Sequence, residues 1–296
     1  MKKICKSGKG KFTLATVKIH DDFDPAKIAD SGQCFRAKEI QSGLFRFITQ
    51  NHVVYIRKLD AETLDVSCTI ADWENIWTHY FDFETNYREI REEIYYFGTR
   101  TAYGEYLHAA QEFGTGIRIL RQDPFETLIS FIISQRKTIP AIRKAVELIC
   151  RDFGKQIQTE YEELYLFPTV EKLSKATAIH LSNCSLGYRA AYVHDAVSKV
   201  NERIVDLEEM YKYRDEDMIE ELQHIKGVGI KIASCVALYA YNRLNIFPID
   251  VWIKRSIMED FHGVNIFAEC GSNAGVLQQY IFYYKRLGDK EFGMVD

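Results

Sequence analysis

The stretch HIKGVGIKIASC, residues 224–235, decides how this sequence is interpreted. Gly227 and Gly229 lie two positions apart after a run of helix-forming residues, and glycine permits a sharp backbone turn. Helical spacing resumes near Ile230, so the pattern predicts a helix, a hairpin and a second helix. The first amides of that second helix lie at the positive end of its dipole and favour an anion such as phosphate. A plain turn between two packed helices explains the same glycines without a ligand.

Lys231 falls in the first turn of the predicted second helix, where a positive charge is electrostatically unfavourable. An amine must lose its proton before it attacks carbon, and a helix N-terminus and partial burial both favour the neutral form. The position therefore suits a nucleophile, although a solvated or phosphate-binding lysine explains it equally well. Asp250 precedes the run VWIKRSIMEDF and is predicted to cap that helix. If the chain returns to the same cleft, its carboxylate would stabilise positive charge on a sugar carbon.

The 296-residue chain changes in texture near residue 72. Phe45 and Phe47 alternate with polar residues, and a polar turn at residues 50–52 leads into VVYI, which indicates an antiparallel hairpin. From Asp72, which we expect to cap a helix, helical spacing continues to the C-terminus. The sequence therefore predicts an α+β protein with a small N-terminal antiparallel β-sheet domain followed by an all-helical body. We expect a sheet domain with flanking helices over residues 1–115, a helix-hairpin-helix domain over 116–262 and a C-terminal helical segment over 263–296.

Composition limits the class of protein. A 47% hydrophobic content and a net charge of −4 are typical of globular proteins, and no apolar run reaches the ~18 residues of a membrane span. The basic N-terminus lacks the apolar segment of a secretory signal. The spacing of the seven cysteines argues against a disulfide framework, a zinc site or an iron–sulfur cluster. Residues 116–145 contain six basic and two acidic residues, which fits one basic face, although random scatter explains it as well.

Several segments together resemble a known family. LQHIKGVGIKIASC and the downstream FPIDV resemble the helix-hairpin-helix DNA glycosylase motif with its catalytic aspartate. SGQCFR, LRQDPFETLISFIIS, LGYRAAYV and AGVLQQYIF resemble, in order, segments of 8-oxoguanine DNA glycosylases of the Ogg type, so that the likeness extends over residues 23–282. It implies a bifunctional DNA repair enzyme that flips 8-oxoguanine out of duplex DNA, excises it through a lysine Schiff base and cuts the strand by β-elimination.

The resemblance also implies roles for individual residues. Lys231 matches the nucleophile that attacks the anomeric carbon, and Asp250 matches the carboxylate that stabilises the cationic sugar. Gly32 would offer its carbonyl to the N7 proton that 8-oxoguanine has and guanine lacks. Cys235 and Phe282 would sandwich the base, and Gln278 would read its Watson–Crick edge. The implied base pocket comprises Gly32, Cys235, Tyr239, Gln278 and Phe282.

The same resemblance implies a DNA-binding surface. Tyr188 matches a wedge aromatic, Arg136 a side chain that fills the gap left by the flipped base, and Arg189 a reader of the opposite base. The residues expected to contact DNA are Arg136, Tyr188, Arg189, Gly227, Gly229 and Trp252. No cofactor is expected to be required. A structural monovalent or divalent cation at the hairpin would be held by the backbone carbonyls of Gln223, Ile225 and Val228.

Some positions depart from the family pattern. Ala141 stands where many eukaryotic members carry an arginine that contacts the opposite cytosine, which predicts a weaker cytosine preference. Trp252 replaces a histidine, Tyr239 a methionine and Lys226 the usual hairpin proline. Two alternatives stay open: a glycosylase of this fold for other damaged bases, and a non-enzymatic DNA-binding module. We expect a monomer that binds double-stranded DNA containing 8-oxoguanine, makes no membrane contact and is cytoplasmic, at a bacterial nucleoid, rather than nuclear.

Overall fold

The computed structural model describes residues 14–291. Its N-terminal part is a five-stranded antiparallel sheet with the strand order β1-β5-β4-β3-β2. The strands are β1 (Ala15–Lys18), β2 (Lys38–Gln41), β3 (Leu44–Thr49), β4 (His52–Lys58) and β5 (Thr63–Val66). The predicted hairpin is present, with Phe47 opposite Val54 and the turn at residues 50–51.

The polar residue between Phe45 and Phe47 in strand β3 is buried. Arg46 is 5% exposed, and its Nη1 lies 2.9 Å from Glu162 Oε2. Glu162 belongs to the loop of a two-stranded ribbon formed by β6 (Gln156–Gln158) and β7 (Glu163–Tyr165). The sequence did not reveal this ribbon, because three-residue strands carry too little alternation to be recognised. The ribbon explains why polar side chains of the sheet are buried.

The cap predicted at Asp72 is wrong, because the observed N-cap lies three residues earlier. Thr69 is the N-cap, because its Oγ1 accepts the Asp72 N–H at 3.0 Å, so the helix begins at Ile70. Asp72 instead lies in the first turn, where its Oδ2 accepts a hydrogen bond from Thr69 Oγ1. The short helices α2 (Ile70–Asp72) and α3 (Thr78–Tyr80) flank a π-helical turn, Trp73–Trp77. Trp73 and Trp77 pack this region against the sheet.

The remaining chain is helical apart from the ribbon. The helices outside the site are α1 (Pro25–Asp30), α4 (Tyr87–Thr99), α5 (Gly104–Gly114), α8 (Val170–Leu173), α9 (Ala178–Leu181) and α14 (Phe267–Cys270). The helices that surround the site are α6 (Pro124–Ser134), α7 (Ile139–Phe153), α10 (Arg189–Asn201), α11 (Asp215–Gln223), α12 (Ile230–Tyr241), α13 (Val251–Glu259) and α15 (Ala274–Glu291). A π-helical turn (Ser182–Leu186) and two short 3₁₀ turns (Glu209–Lys212 and Gly271–Asn273) complete the order. The predicted α+β architecture is confirmed.

Several helix ends are defined by caps, and the two ends predicted at Asp250 and near Ile230 agree with the structure. Asp123 Oδ1 accepts the Glu126 N–H at 2.8 Å, with proline at the first position of α6. Gly154 caps the end of α7, and Asp250 caps the start of α13. Helix α12 begins at Ile230, directly after the hairpin, and is buried from residue 232 onward. It is therefore the central helix of the body, and only its first turn is accessible.

The sheet and the helical body share buried polar contacts. The Arg118 side chain is 0% exposed and donates to the carbonyls of Asp82 at 2.6 Å and Thr85 at 2.7 Å. Its Nη1 also lies 3.1 Å from Asp21 Oδ2, and its guanidinium lies 4.2 Å from the ring centroid of Tyr87. All of these partners come from the N-terminal part of the chain. Arg118 therefore joins the N-terminal part to the segment that leads into the helical body.

Within residues 14–291, no helix is long and apolar enough to cross a bilayer. Six cysteines in this range are free thiols. The seventh, Cys5, lies outside the described residues.

Candidate active site

A cavity of about 420 Å³ opens between helix α12, the N-termini of α7 and α13, and helix α15. It brings together residues that are far apart in sequence, from the loop after α1 to the C-terminal helix. Eight of the predicted site residues line it: Gly32, Lys231, Cys235, Tyr239, Asp250, Trp252, Gln278 and Phe282. The predicted DNA contacts Arg136, Tyr188, Arg189, Gly227 and Gly229 and the hairpin positions Gln223, Ile225 and Val228 do not line it.

Lys231 and Asp250 face this cavity from two different helix starts. Lys231 is partly exposed in the first turn of α12, and its Nζ lies 5.4 Å from the ring centroid of Phe131. Asp250 Oδ1 accepts the Ile253 N–H at 2.9 Å, which holds the carboxylate at the start of α13. Burial raises the pKa of Asp250, while the Ile253 N–H and the charge of Lys231 act in the opposite direction. The two groups therefore interact electrostatically, and an amine and a carboxylate share one cleft.

The next turns of α12 form an uncharged wall. Cys235 is 2% exposed, and burial raises the pKa of its thiol to about 11, although the charge of Lys231 works against this. The thiol is therefore neutral at neutral pH. One turn further, the Tyr239 ring stacks on Phe131 with the centroids 5.4 Å apart and the planes at 15°. A wall of this kind suits a flat, uncharged ligand.

A narrow slot lies between Gly32 and helix α15. Gly32 has φ +79°, and a methyl group built on it would lie 3.0 Å from Phe282 Cε1. Only glycine fits both this backbone conformation and this contact. Gln278 is 2% exposed, and its Oε1 has no hydrogen-bond partner among the described residues. Because buried polar atoms are nearly always paired, this oxygen favours a ligand that carries an N–H donor.

The hairpin and the predicted wedge lie side by side on the surface. Tyr188 is 51% exposed, and its ring packs edge-on against Tyr192 with the centroids 5.7 Å apart. Tyr192 in turn covers Gly227, where a Cβ atom would lie 2.3 Å from the Tyr192 ring. Gly229, the N-cap of α12, has open space where its Cβ would be. The amides at the start of α12 are thus open to a phosphate.

Arg189 is placed differently from the free base reader that the resemblance implied. It is 7% exposed, its Nε donates to the Gln135 carbonyl at 2.7 Å, and its Nη1 donates to the Leu186 carbonyl at 3.2 Å. Its guanidinium also lies 4.4 Å from the Tyr188 ring centroid. Contact with a base would require these hydrogen bonds to open, so its role stays a prediction. Arg136 is exposed with φ +51° and is directly accessible.

The predicted cation site consists of neutral oxygens only. The Ile225 carbonyl accepts the Val228 N–H at 3.0 Å, and the neighbouring His224 carbonyl accepts Lys199 Nζ at 2.7 Å. A lysine ammonium thus already lies against the hairpin. In the described part of the chain, no group of His, Cys, Asp or Glu side chains could hold a metal. The carbonyl site of Gln223, Ile225 and Val228 stays a prediction.

Some site residues were missed by sequence reasoning. Arg286 lines the cavity with its guanidinium 5.5 Å from the Phe282 ring centroid, and its Nη2 lies 3.2 Å from Asp30 Oδ2. Lys137 also lines the cavity and donates to the Ser185 carbonyl at 2.9 Å. The basic pair at residues 136–137 was the only local signal. The placement of Arg286 depends on the packing of α15 and has no signature in sequence.

Comparisons with known proteins identify the family of the chain. A family model described as "8-oxoguanine DNA glycosylase, N-terminal domain" matches residues 16–128, and one described as "HhH-GPD superfamily base excision DNA repair protein" matches residues 129–265. A solved structure of MBOgg1 in complex with a low-affinity DNA ligand is 34% identical, covers 93% of this chain and 98% of that chain, and has a TM-score of 0.85. The chain belongs to the 8-oxoguanine DNA glycosylase family. The family resemblance drawn from the sequence is confirmed.

Two further relatives match this chain over different shares of their length. The Clostridium acetobutylicum 8-oxoguanine glycosylase/lyase, solved with double-stranded DNA containing cytosine opposite 8-oxoguanine, is 32% identical over 93% of this chain and 98% of that chain, with a TM-score of 0.84. The Saccharomyces cerevisiae N-glycosylase/DNA lyase is 37% identical over 158 residues, which are 49% of this chain. The match spans only 42% of the yeast protein's length.

Proposed function

We propose that this protein is a bifunctional base excision repair enzyme that removes 8-oxoguanine from duplex DNA and then cleaves the strand. The observation that carries the proposal is one cavity containing the Lys231 amine, the Asp250 carboxylate and a slot for a flat base. Solved family members of nearly the same length, including the clostridial glycosylase/lyase, support it. A module that only binds DNA would have no need for a base-sized cavity next to an amine.

Base selection would take place between Phe282 and Cys235. A flipped base has to leave the stack at a cost of a few kcal/mol, and stacking on an aromatic ring recovers part of that cost. The Gly32 carbonyl would accept the N7–H of 8-oxoguanine, whereas the bare N7 of guanine would face that carbonyl without a proton. The unpartnered Gln278 Oε1 would accept a base N–H on the Watson–Crick edge. A single unpaired buried group costs about 1–3 kcal/mol, which is enough for strong discrimination.

The chemistry would begin with Lys231. Its neutral amine attacks C1′ of the flipped nucleotide, the glycosidic C–N bond breaks, and the bonding electrons leave with the base, which then gains a proton. Asp250, held by the Ile253 N–H, stabilises the positive charge that develops on the sugar. Loss of a proton from the amine and ring opening give an imine at C1′. The imine acidifies C2′–H, so that its removal expels the 3′-phosphate and cuts the strand.

The surface beside the cavity would hold the distorted duplex. The amides at Gly229 and the start of α12 bind a phosphate, and the exposed Tyr188 ring enters the stack next to the flipped nucleotide. Arg136 fills the gap, Trp252 contacts the backbone near the lesion, and Arg189 reads the opposite base after releasing its carbonyl partners. Each of these five roles can be tested by a single substitution, with DNA affinity and excision rate as the measured quantities.

Borohydride trapping tests the proposed function. Wild-type protein and Lys231→Gln are incubated with a duplex that holds one 8-oxoguanine opposite cytosine, and borohydride is added to reduce any imine. We expect a covalent protein–DNA band with wild type only, and DNA binding by both proteins. A band with both proteins would assign the nucleophile to another amine. No band with either, despite tight binding, would favour a damage reader or a glycosylase for another base.

We also propose that the carbonyls of Gln223, Ile225 and Val228 hold a monovalent or divalent cation when a DNA phosphate approaches the hairpin. Hard cations accept neutral carbonyl oxygens as ligands, and no carboxylate belongs to this set. DNA affinity should then be higher in potassium than in tetramethylammonium chloride at matched ionic strength, and equal affinities would contradict the site. We further propose a monomeric, cytoplasmic, nucleoid-associated protein, which light scattering and imaging of a tagged chain in its native cell would test.

A further inference from the structure

The loop that carries Gly32 is fixed from both sides by glutamine side chains. On one side, Gln279 Nε2 donates to the Ser31 carbonyl at 2.8 Å. On the other, Gln122 Nε2 donates to the Gln33 carbonyl at 2.8 Å. Ser31, Gln33 and Gln279 are all 0% exposed, and the hydrogen bond from Gln279 is buried whereas the one from Gln122 is partly buried. Among the described residues no donor reaches the carbonyl of Gly32 itself.

The Gln33 side chain adds a second layer to this loop. Its Nε2 donates to the Arg118 carbonyl at 2.8 Å, and its Oε1 accepts the Leu120 N–H at 2.8 Å. The loop is therefore joined to the extended segment that leads into α6. Because the backbone is held at Ser31 and at Gln33, the carbonyl of Gly32 between these residues has little freedom to move.

Tyr239 connects both sides of the loop. Its hydroxyl donates to Gln279 Oε1 at 2.8 Å, and its carbonyl accepts the Gln122 N–H at 2.9 Å. The first contact holds the Gln279 oxygen toward Tyr239, and this orientation directs its NH₂ group toward Ser31. The same Tyr239 ring lines the cavity. One residue of α12 thus contacts the side-chain amide of Gln279 and the backbone of Gln122, the two residues that hold the loop.

We propose that the Tyr239–Gln279 hydrogen bond is a positioning device that sets the Gly32 carbonyl for lesion selection. Neither residue donates a proton to the base or carries the reaction in this scheme. They act through Ser31 by holding the peptide next to Gly32, which sets the carbonyl that distinguishes 8-oxoguanine from guanine. The inference rests on the proposed function and names residues that determine its specificity.

The experiment compares two variants with a matched control. Tyr239→Phe removes only the hydroxyl, and Gln279→Met removes the amide at similar volume. Tyr241→Phe is the control, because the Tyr241 hydroxyl is also buried in α12 and donates to the Leu207 carbonyl at 2.8 Å, away from the cavity. Each protein is assayed in single turnover on 8-oxoguanine opposite cytosine and on a preformed abasic site. The abasic substrate uses Lys231 but needs no base recognition.

Loss of one neutral hydrogen bond that orients a reacting complex corresponds to about a tenfold loss of rate. We therefore expect the excision rate of Tyr239→Phe and Gln279→Met to fall by this factor, while their rate of abasic-site cleavage stays within about twofold of wild type. The control Tyr241→Phe should match wild type in both assays, although its melting temperature should fall by a similar amount. The double variant should be no worse than Gln279→Met, because both changes break one network. Equal losses in both assays would mean a merely structural role, and unchanged excision would overturn the proposal.

Amide hydrogen exchange gives a readout that does not depend on activity. A peptide covering residues 28–36 should exchange faster in Tyr239→Phe and Gln279→Met than in wild type and Tyr241→Phe. If wild type failed to excise 8-oxoguanine, the proposed function would fall while exchange still decided whether the pair holds the loop. Unchanged exchange in both variants would overturn the positioning role even in an active enzyme.

Discussion

Replacing Gly32 with alanine tests the slot of the cavity most directly. The new methyl group would lie 3.0 Å from Phe282 Cε1, 3.3 Å from Cζ and 3.4 Å from Ile139 Cδ1. The Phe282 ring must move by a few tenths of an ångström, which changes the surface on which the base would stack. The backbone adds a second cost, because Gly32 has φ +79°.

Gly43 separates these two effects. It also has a left-handed φ, +71°, but no atom lies within 4 Å of its added Cβ. Left-handed backbone costs a non-glycine residue about 1–2 kcal/mol, so Gly43→Ala should destabilise the protein by about this amount. Overpacking typically adds a further cost of about 1–3 kcal/mol. The free energy of unfolding of Gly32→Ala should therefore be about 2–5 kcal/mol lower than that of wild type, unless the Phe282 ring rotates away.

The assay is single-turnover excision of 8-oxoguanine beside cleavage of a preformed abasic site. A displaced Phe282 should slow excision by Gly32→Ala by about 10- to 100-fold, or roughly 1.4–2.7 kcal/mol. Abasic-site cleavage should stay close to wild type, and Gly43→Ala should match wild type in both assays. Normal excision by Gly32→Ala would refute the slot, and a parallel loss of both activities would mean that the variant is simply misfolded.

Three further predictions follow from the hairpin, the carboxylate and the opposite strand. Gly227→Ala should destabilise the protein by more than about 2 kcal/mol, because its Cβ would lie 2.3 Å from Tyr192, whereas Gly229→Ala has open space and should change the melting temperature little while it weakens DNA binding. Burial raises the pKa of Asp250, so the ionised carboxylate lowers the free energy of unfolding at pH values above that pKa. This cost vanishes in acid, where the carboxyl is protonated in both the folded and the unfolded state. Asp250→Asn should therefore be more stable than wild type at neutral pH and lose this advantage in acid, as melting curves from about pH 4 to pH 8 would show. With Ala141 in place of a guanidinium worth about 1–3 kcal/mol per base, excision rates opposite the four bases should differ by less than about tenfold, and a steep cytosine preference would contradict this.

Local sequence carried the parts of the site that depend on local structure. The hairpin follows from two glycines between helical runs, and the cap at Asp250 follows from a residue type with a strong preference for that position. Lys231 was singled out because a lysine in a first turn is electrostatically costly. These features need no knowledge of distant packing.

Features that depend on distant packing were not predictable in this way. Gln279 binds the Ser31 carbonyl across 248 positions of sequence, and no local pattern marks such a pair. A polar residue in an alternating strand is ordinarily exposed, but the ribbon carrying Glu162 covers Arg46. The base pocket was assigned by family resemblance, since Cys235 and Phe282 alone look like ordinary core residues.

The base pocket combines both ends of the described chain, with Gly32 from the first helix region and Gln278 and Phe282 from the last helix. During synthesis the ribosome releases the hairpin and Lys231 well before helix α15. At about 5–20 residues per second, the roughly fifty residues that follow Lys231 take several seconds to emerge. A nascent or proteolysed chain that lacks α15 would carry Lys231 and the hairpin without Gln278 and Phe282. In the proposed mechanism, an intact α15 would therefore confine the Lys231 amine to nucleotides whose base fits the pocket.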